Sequence, residues 1–403
     1  MTGQETELRW LPREFKSHGP PSNASIYTFL FKVATLCNLN CDYCYVYRGP
    51  DQSWRSKPKF MSADTARAAC ERIAEHAWRH KLSSVAINFH GGEPLLAGRD
   101  RLEIYIKTAL ECIPCKVEFC AQTNATLLDQ DILNLFAQYQ VNFGVSIDGP
   151  KEYNDKHRLF RNGKSSFHRL MKALSLINKN KQWEEVFGGY LTVIDLANDP
   201  QETFRFLLSL GAKSFDILLP DCNHDALPPR PASDFERTAY GRWMASLFDV
   251  WINTPGNIEI RYFDEIIGLL LGGESSLEAI GAKIVDLIVI ESNGDIEAVD
   301  TLKTVSRSAT KLNLSVYNNS FDEALQHPAI FSRYLGYEAL CKTCRDCSYL
   351  TYCGGGYLPH RYGGGEGFQN PSVYCTDIIY LINHISKRLQ QHIPLMNPEA
   401  AAK

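Results

Sequence analysis

The chain has 403 residues, of which 44% are hydrophobic and 22% are charged, and its formal net charge is −4. This is the composition of a globular protein with one large core and a smaller second unit, and the weak negative charge gives no sign of a nucleic acid or an anionic membrane as partner. The N-terminal residues lack the apolar core of a signal peptide, and no apolar run reaches the ~20 residues of a membrane span. We therefore expect a cytoplasmic protein that binds neither membrane nor nucleic acid.

From residue 26 to about 220, short β-rich runs alternate with helical patterns. The runs that predict strands lie at 26–35, 84–90, 116–123, 141–148, 186–194 and 213–220. The patterns that predict helices between them lie at 62–80, 99–111, 129–139, 166–179 and 201–210. Repeated βα units form a parallel sheet, so we predict an α/β barrel, open or closed. In such barrels the chemistry collects on the loops that follow the strands.

The second part of the chain has a different pattern. A polar, Pro-rich linker is followed by two predicted helices at about 235–253 and 261–271, and a hairpin is predicted at 286–302. The rest is rich in cysteine and glycine, which is typical of a loop-rich module held together by metal. The predicted units are an N-terminal extension (1–25), the barrel (26–225), a helical bridge (226–280), the metal-binding module (281–390) and a C-terminal tail (391–403).

Thirteen cysteines are many for a cytoplasmic chain, where disulfides are rare. Eight of them fall into two tight groups, which indicates ligation of a metal or cluster. The groups are Cys37, Cys41 and Cys44, and Cys341, Cys344, Cys347, Cys353 and Cys375. The others are scattered through apolar sequence and are predicted to be small buried core residues: Cys70, Cys112, Cys115, Cys120 and Cys222.

The first group has the spacing C-x3-C-x2-C and no fourth Cys or His nearby. Structural zinc sites use four protein ligands, often in C-x2-C pairs, whereas three thiolates on a [4Fe–4S] cluster leave one iron open to a co-substrate. This spacing, with Tyr43 before the last cysteine, resembles the radical S-adenosylmethionine (radical SAM) enzymes. In that family the methionine part of S-adenosylmethionine chelates the open iron, and the aromatic residue packs on adenine. One electron from the cluster then gives a 5′-deoxyadenosyl radical.

The resemblance extends to the ends of the next strands. In "HGGEP" (90–94), the family pattern implies that Gly91 and Gly92 let the backbone approach the amino acid head of S-adenosylmethionine, with Glu93 nearby. The motifs "QTN" and "VSIDG" imply ribose and carboxylate contacts for Thr123, Asn124 and Ser146. Arg158 is a candidate contact of substrate or of the S-adenosylmethionine carboxylate, and a surface salt bridge is an equal explanation.

The second group, with C-x2-C-x5-C and a distant fourth cysteine, resembles the SPASM module of peptide and protein maturases. The family pattern implies that Cys344, Cys347, Cys353 and Cys375 hold one auxiliary [4Fe–4S] cluster, with Cys341 as a spare or alternative ligand. Val299 and Tyr357 stand where the family has cysteines, so a second auxiliary cluster is not expected. Structural zinc is the alternative reading. The fold expected is a partial (β/α)6, TIM-like radical SAM barrel with a C-terminal loop-rich SPASM module.

Further stretches resemble the Fxs-type radical SAM/SPASM peptide maturases, among them "GDIEAVDTLK" and "CGGGYLPHRYGGGEGFQNPSVYC". This group belongs to the enzymes that build three-residue cyclophanes in ribosomally made peptides. The enzymes join an aromatic ring carbon of one residue to the β-carbon of the residue two positions later. The ring must then lose a proton and an electron, so the site needs a base and an electron acceptor. Asp300 is the candidate base, because a buried carboxylate can have its pKa raised towards neutrality; capping the strand end or pairing with Lys or Arg is an equal reading.

The resemblance implies as partners a precursor peptide, with leader and core, and an electron donor such as flavodoxin or ferredoxin. About 25 residues precede the first predicted strand, too few for an appended leader-binding domain. The alternatives are a side-chain oxidase like the sulfatase maturases, a thioether-forming maturase, and a non-catalytic iron–sulfur scaffold. A further pair, His76 and His80, is predicted to lie on a solvated helix face rather than to bind metal.

Overall fold

Ten strands join into one sheet in the part of the chain that the structure, a computed structural model, describes: residues 9–13, 15 and 19–392. The strands are β1 (Thr28–Ala34), β2 (Ser84–Gly91), β3 (Lys116–Thr123), β4 (Asn142–Ser146), β5 (Phe187–Val193), β6 (Ser214–Leu218), β7 (Glu259–Ile260), β8 (Leu287–Ile290), β9 (Asp295–Glu297) and β10 (Lys311–Ser315). Much of the predicted N-terminal extension (1–8, 14 and 16–18) and nearly all of the C-terminal tail (393–403) lie outside the described residues.

The strand order is β10-β9-β8-β1-β2-β3-β4-β5-β6-β7. Strands β1 to β6 follow one another in chain order and every pair is parallel. Right-handed crossovers between consecutive parallel strands all return on the same face, so the helices cover one side of the sheet and the other side encloses the interior. The order is open at both ends within the described residues, which confirms the predicted partial α/β barrel.

The α-helices of the described part are α1 (Tyr45–Arg48), α2 (Ala63–His80), α3 (Arg99–Cys112), α4 (Gln130–Tyr139), α5 (Lys151–His157), α6 (Phe167–Ile177), α7 (Lys181–Glu185), α8 (Pro200–Ser209), α9 (Ala239–Ile252), α10 (Arg261–Leu270), α11 (Phe321–Leu325), α12 (Pro328–Phe331), α13 (Lys342–Arg345), α14 (Leu350–Cys353) and α15 (Cys375–His392). Side-chain caps begin several barrel helices: Ser62 accepts from Thr65 N–H at α2, and Asp129 accepts from Ile132 N–H at α4. None of these helices combines the length and the hydropathy that crossing a membrane requires.

All six predicted barrel strands and all five predicted barrel helices are present within a few residues of their expected bounds. The structure adds helices α1, α5 and α7 in the barrel, helices α11 to α15 in the C-terminal part, and strands β7 and β10. The predicted hairpin is formed by β8 and β9, and β8 pairs in parallel with β1, with Thr28 opposite Leu287 and Phe31 opposite Ile290. The hairpin of the predicted metal-binding module (281–390) therefore continues the sheet of the barrel.

The C-terminal helix α15 packs against α9 through a buried carboxylate. Asp377 accepts a hydrogen bond from Gly241 N–H at 2.9 Å and pairs with Arg230. A Cβ at Gly241 would lie 2.5 Å from the Asp377 carbonyl oxygen, so only glycine permits this contact between the two helices. The contact fixes the C-terminal module on the helical layer.

The prediction that His76 and His80 lie on a solvated helix face is wrong for His76, whereas His80 is partly exposed. His76 is only 2% exposed, and its Nε2 accepts a hydrogen bond from Ile26 N–H at 2.9 Å. Both imidazoles meet the Asp322 carboxylate, His76 through Nδ1 at 3.0 Å and His80 through Nε2 at 2.7 Å. Because α2 carries the histidines and α11 carries Asp322, this cluster joins the barrel to the C-terminal module.

The buried histidine makes the stability of the fold depend on pH. Burial lowers the pKa of His76 to about 4, so the unfolded chain, with a histidine pKa of about 6.5, binds the extra proton between these values. The free energy of unfolding should therefore fall as the pH drops below about 6.5, and His76 alone should account for about 2 kcal/mol between pH 7 and pH 5.

Thermal unfolding midpoints of the reconstituted protein at pH 7 and pH 5 measure this effect. We expect His76→Gln, which keeps an acceptor for Ile26 N–H, to show a smaller difference between the two midpoints than the parent. The control is His168→Gln, the same change at an exposed position, which should keep the full difference. An unchanged difference in His76→Gln would contradict this account.

Candidate active site

The three-cysteine loop begins where β1 ends, at the carboxyl edge of the barrel. Asn40 N–H donates to the Leu159 carbonyl at 2.8 Å, which ties the loop to the segment after α5. The Cys37 sulfur accepts from Leu39 N–H at 3.3 Å and from Asn124 Nδ2 at 3.7 Å. Burial, with Glu93 adding to it, raises the pKa of Cys37 to about 12, so the free thiol keeps its proton until a metal replaces it.

The two glycines of "HGGEP" pack against the cysteine loop. Gly92 N–H donates to the Ala34 carbonyl at 2.8 Å, and Gly91 has a φ of +151°, where side chains are strained. A Cβ at Gly91 would lie 2.0 Å from the Ala34 carbonyl oxygen, and one at Gly92 would lie 1.8 Å from the Tyr47 hydroxyl. The close approach that requires glycine is therefore to the cysteine loop itself, and both glycines also line the cavity described below.

Glu93 joins the ends of β2 and β3. Its carboxylate accepts hydrogen bonds from Thr123 Oγ1 at 2.6 Å, from Asn124 N–H at 2.8 Å and from Leu95 N–H at 3.0 Å. Burial raises the pKa of Glu93, although these donors act in the opposite direction. Ser146 at the end of β4 accepts from Gln122 Nε2 at 2.9 Å. The strand ends that the sequence singled out are thus held together by their own side chains.

Tyr43 belongs to a buried chain of polar groups. Its hydroxyl donates to Asp148 Oδ2 at 2.6 Å and accepts from an Arg158 guanidinium nitrogen at 2.8 Å. Burial opposes the charged form of Arg158, but Tyr43, Cys41 and Asp148 outweigh it and raise the pKa of this guanidinium. Arg158 is 7% exposed, so the surface salt bridge considered for it is not its environment.

A single cavity of about 460 Å³ connects these groups. It extends from the three-cysteine loop along the strand ends to the C-terminal module, where Thr301, Tyr357 and His360 line it. Its lining includes these residues assigned from the sequence: Cys37, Cys41, Cys44, Tyr43, Gly91, Gly92, Glu93, Thr123, Asn124, Ser146 and Arg158. The volume is in the range of sites for small molecules and single side chains.

Asp300 lies at the hairpin side of this region in a buried ion pair with Lys32 of β1. Tyr45 donates a hydrogen bond to the same carboxylate at 3.0 Å, and His90 Nδ1 is 3.8 Å away. Burial alone would raise the pKa of Asp300, but Lys32 and then His90 hold it below its usual range. The expected rise towards neutrality is therefore wrong, and the carboxylate is ionised at neutral pH.

Asp221 is a cavity residue that the sequence reasoning missed. It follows β6 and has no hydrogen bond or ion pair among the described residues. Burial, with Asp300 adding to it, raises the pKa of Asp221 to about 7. Lys32 and His90 were also missed, although a lysine within the apolar run "FLFKVA" is a signal that could have identified Lys32.

The five cysteines of the second group lie together on short helices and turns around α13, α14 and the start of α15. Cys344 N–H donates to the Cys341 carbonyl at 3.0 Å and Cys347 N–H donates to the Cys344 carbonyl at 3.1 Å, while α14, which ends at Cys353, packs on α15, which begins at Cys375. Gly354, with a φ of +65°, follows Cys353, and a Cβ there would lie 1.7 Å from the Gly281 carbonyl oxygen. All four predicted ligands are therefore brought into one neighbourhood, and Cys341 lies beside them.

The spacing of the sulfur atoms distinguishes a cluster from single zinc ions. Zinc–sulfur bonds of about 2.3 Å in a tetrahedron place neighbouring sulfurs about 3.8 Å apart. In neither cysteine group, all of whose members are described residues, do three sulfurs lie within 4.8 Å of one another. Neither group is thus drawn together as tightly as a single zinc ion requires, which is compatible with a larger iron–sulfur cluster.

Among the described residues, one set of three potential ligand atoms lies within 4.8 Å: His76, His80 and Asp322. Because His76 Nε2 accepts from a backbone N–H, its Nδ1 carries the proton and donates to Asp322, which leaves no lone pair for a metal.

Of the cysteines outside the two groups, only Cys70 is buried. The other four are partly exposed, which corrects the prediction for them: Cys112, Cys115, Cys120 and Cys222.

Comparison with known proteins agrees with this fold. The pattern of the Radical SAM superfamily matches residues 31–207. A cysteine-type anaerobic sulfatase-maturating enzyme of Clostridium novyi is 25% identical over 357 residues, which cover 84% of this chain and 89% of that enzyme. An uncharacterised Synechocystis protein is 32% identical over 371 residues, or 87% of each chain.

The solved structure of native anSMEcpe with bound AdoMet and Cp18Cys peptide is similar in fold, with a TM-score of 0.76 and 20% identity. The match covers 91% of this chain and 98% of that one. The superfamily match spans the barrel, and one relative is 32% identical over 87% of each chain. The superfamily match implies a [4Fe–4S] cluster and S-adenosylmethionine as cofactors. The chain belongs to the Radical SAM superfamily and is a radical SAM enzyme.

Proposed function

We propose that this enzyme is a maturase of ribosomally synthesised peptides. It would join an aromatic ring carbon of one residue to the β-carbon of the residue two positions later. The observation that carries the proposal is the single cavity, which runs from the three-cysteine loop to the hairpin and the C-terminal module. Such a cavity would admit one side chain of an extended peptide and bring it next to the three-cysteine loop.

The residues divide into three binding sets. Cys37, Cys41 and Cys44 would hold the first cluster, and the strand-end residues beside them would hold S-adenosylmethionine. The auxiliary cluster would be held by Cys344, Cys347, Cys353 and Cys375. When bound, the first cluster and S-adenosylmethionine supply one-electron chemistry that removes a hydrogen atom from a side chain, and the auxiliary cluster supplies an acceptor for one electron.

The chain's own residues position the peptide and handle the proton. The hydrogen bonds of Tyr43 to Asp148 and Arg158 fix the cavity wall beside the three-cysteine loop. The crosslink costs the peptide two hydrogens, one as a hydrogen atom and the other as a proton with an electron. We assign the proton to Asp300, which Lys32 keeps ionised. Once the ring adduct has given up its electron, the proton that it must lose to regain aromaticity is strongly acidic, so a carboxylate of low pKa suffices as the base.

The sulfatase-maturating relative supports a second candidate, an oxidase of single side chains. The solved neighbour holds a peptide, which supports a peptide substrate for either reaction. What favours the crosslink is the resemblance of "GDIEAVDTLK" and the "CGGGY" segment to the Fxs-type maturases. We further propose that the enzyme works in the cytoplasm and receives its electrons from a donor such as flavodoxin or ferredoxin.

Two synthetic peptides would separate these candidates. One carries aromatic–X–polar triplets and no cysteine, and the other carries Cys and Ser but no aromatic residue. With reduced enzyme and S-adenosylmethionine, we expect the first peptide to lose two hydrogens per crosslink and to resist fragmentation within the triplet in mass spectrometry. Modification of only the second peptide, with a product carbonyl that reacts with hydroxylamine, would establish the oxidase instead.

Iron analysis tests the two ligand sets. Anaerobically reconstituted enzyme should contain roughly eight irons, as two [4Fe–4S] clusters. Replacing Cys37, Cys41 and Cys44 together by Ala should remove about half of the iron and all formation of 5′-deoxyadenosine, with the barrel still folded by circular dichroism. About twelve irons would mean a third cluster, and stoichiometric zinc without iron would contradict the assignment of both groups.

The role of Asp300 is tested by Asp300→Asn, which keeps the shape of the side chain but cannot accept the proton. The variant should still form 5′-deoxyadenosine with the triplet peptide, yet its yield of crosslinked product should fall by ~10²–10⁴. The control is Asp295→Asn, which removes a half-exposed carboxylate from the same hairpin and should leave the yield unchanged. Near-parental crosslinking by Asp300→Asn, with both clusters intact, would return Asp300 to a structural role.

A further inference from the structure

Arg361 carries a guanidinium without an ion-pair partner. It ends the 3-10 helix Leu358–Arg361, and its Nε is buried with no hydrogen bond. The guanidinium makes no ion pair with any of the described residues, and burial lowers the pKa of Arg361. The Glu278 carboxylate offsets only part of the cost of burying this charge.

Other buried cations of the described chain are compensated. Lys32 pairs with Asp300, Lys303 pairs with Glu291 at 2.6 Å, and Arg333 pairs with Glu278. Arg333 and Glu278 line a small cavity of about 40 Å³ together with Arg361, but Glu278 is already engaged by Arg333. The Glu278 carboxylate therefore serves both Arg333 and Arg361, and the charge of Arg361 is only partly balanced within the described residues.

Arg361 lines the small cavity together with Leu340 and Gly354, which adjoin Cys341 and Cys353 of the second group in the chain. Its charge acts on Cys341, Cys344 and Cys353, and it favours the thiolate form of each. Four thiolates give an iron–sulfur cluster a net negative charge, and reduction adds one more electron. A cation at this position stabilises the cluster, and it stabilises the reduced form most.

We propose that Arg361 is the fixed counter-charge of the iron–sulfur cluster held by the C-terminal cysteines and raises its reduction potential. The proposal rests on the auxiliary cluster of the proposed function and not on the peptide reaction. Arg361 would affect the peptide reaction only through the cluster, as a fixed positive charge beside it. A raised potential suits the cluster to accept an electron from the peptide.

The test uses the full chain with Cys37, Cys41 and Cys44 replaced by Ala, so that only the C-terminal cluster contributes to the signal. Potentiometric titration, followed by electron paramagnetic resonance, gives the potential of this cluster. We expect Arg361→Gln to shift it to more negative values and Arg361→Lys, which keeps the charge, to stay close to the parent. The control is Lys342→Gln, which removes a charge beside Cys341 whose side chain is 79% exposed; solvent should leave its potential nearly unchanged.

If Arg361→Gln loses its C-terminal iron on reconstitution while Arg361→Lys retains it, the result also supports the proposal, because the cluster then needs a positive charge at this position in order to bind. An unshifted potential in Arg361→Gln, an equal shift in Arg361→Lys or Lys342→Gln, or equal loss of iron in both Arg361 variants would overturn the proposal. A parent that holds no C-terminal iron would overturn it together with the auxiliary cluster. The assay with the two synthetic peptides would still distinguish the crosslinking reaction from the side-chain oxidation.

Discussion

The position of β1 between β2 and β8 is the constraint on which the site depends. On one side, the pairing of Ala34 with Gly91 sets the glycine loop against the three-cysteine loop. On the other side, β8 pairs in parallel with β1 and leads through β9 to Asp300, which meets Lys32. Since a shift of register by one residue would turn every side chain to the opposite face, this pairing fixes both halves of the cavity at once.

Burial gives opposite protonation behaviour to two neighbouring carboxylates, of which Asp221 lines the cavity and Asp300 does not. Asp300 is compensated by Lys32, so its pKa stays below the usual range, whereas Asp221 has no cation and its pKa rises to about 7. The same principle applies to the thiols, since the pKa of Cys37 rises to about 12 in the absence of metal. In this interior, titratable groups are charged where the fold supplies a counter-charge. The groups that lack a counter-charge line the cavity or lie near the C-terminal cysteines.

The elements of the barrel could be predicted because their signals are local. Alternating apolar runs and helical periodicity gave six strands and five helices close to their observed bounds, and the strand ends placed the cysteine loop correctly. The failures concern residues whose partners are distant in the chain. His76 looked solvated in its own helix, but it is buried by Ile26 and Asp322. The pKa of Asp300 was misjudged because its counter-charge, Lys32, comes from the first strand.

The sequence by itself determined the class of the fold, the two cysteine groups and the family of the chemistry, because spacing within a loop and periodicity within a strand are properties of short segments. The tertiary structure decided which charges are paired, which carboxylate is free, and that Arg361 lies near the C-terminal cysteines. These depend on contacts between residues far apart in the chain and on exclusion of water, and neither is written in any one segment.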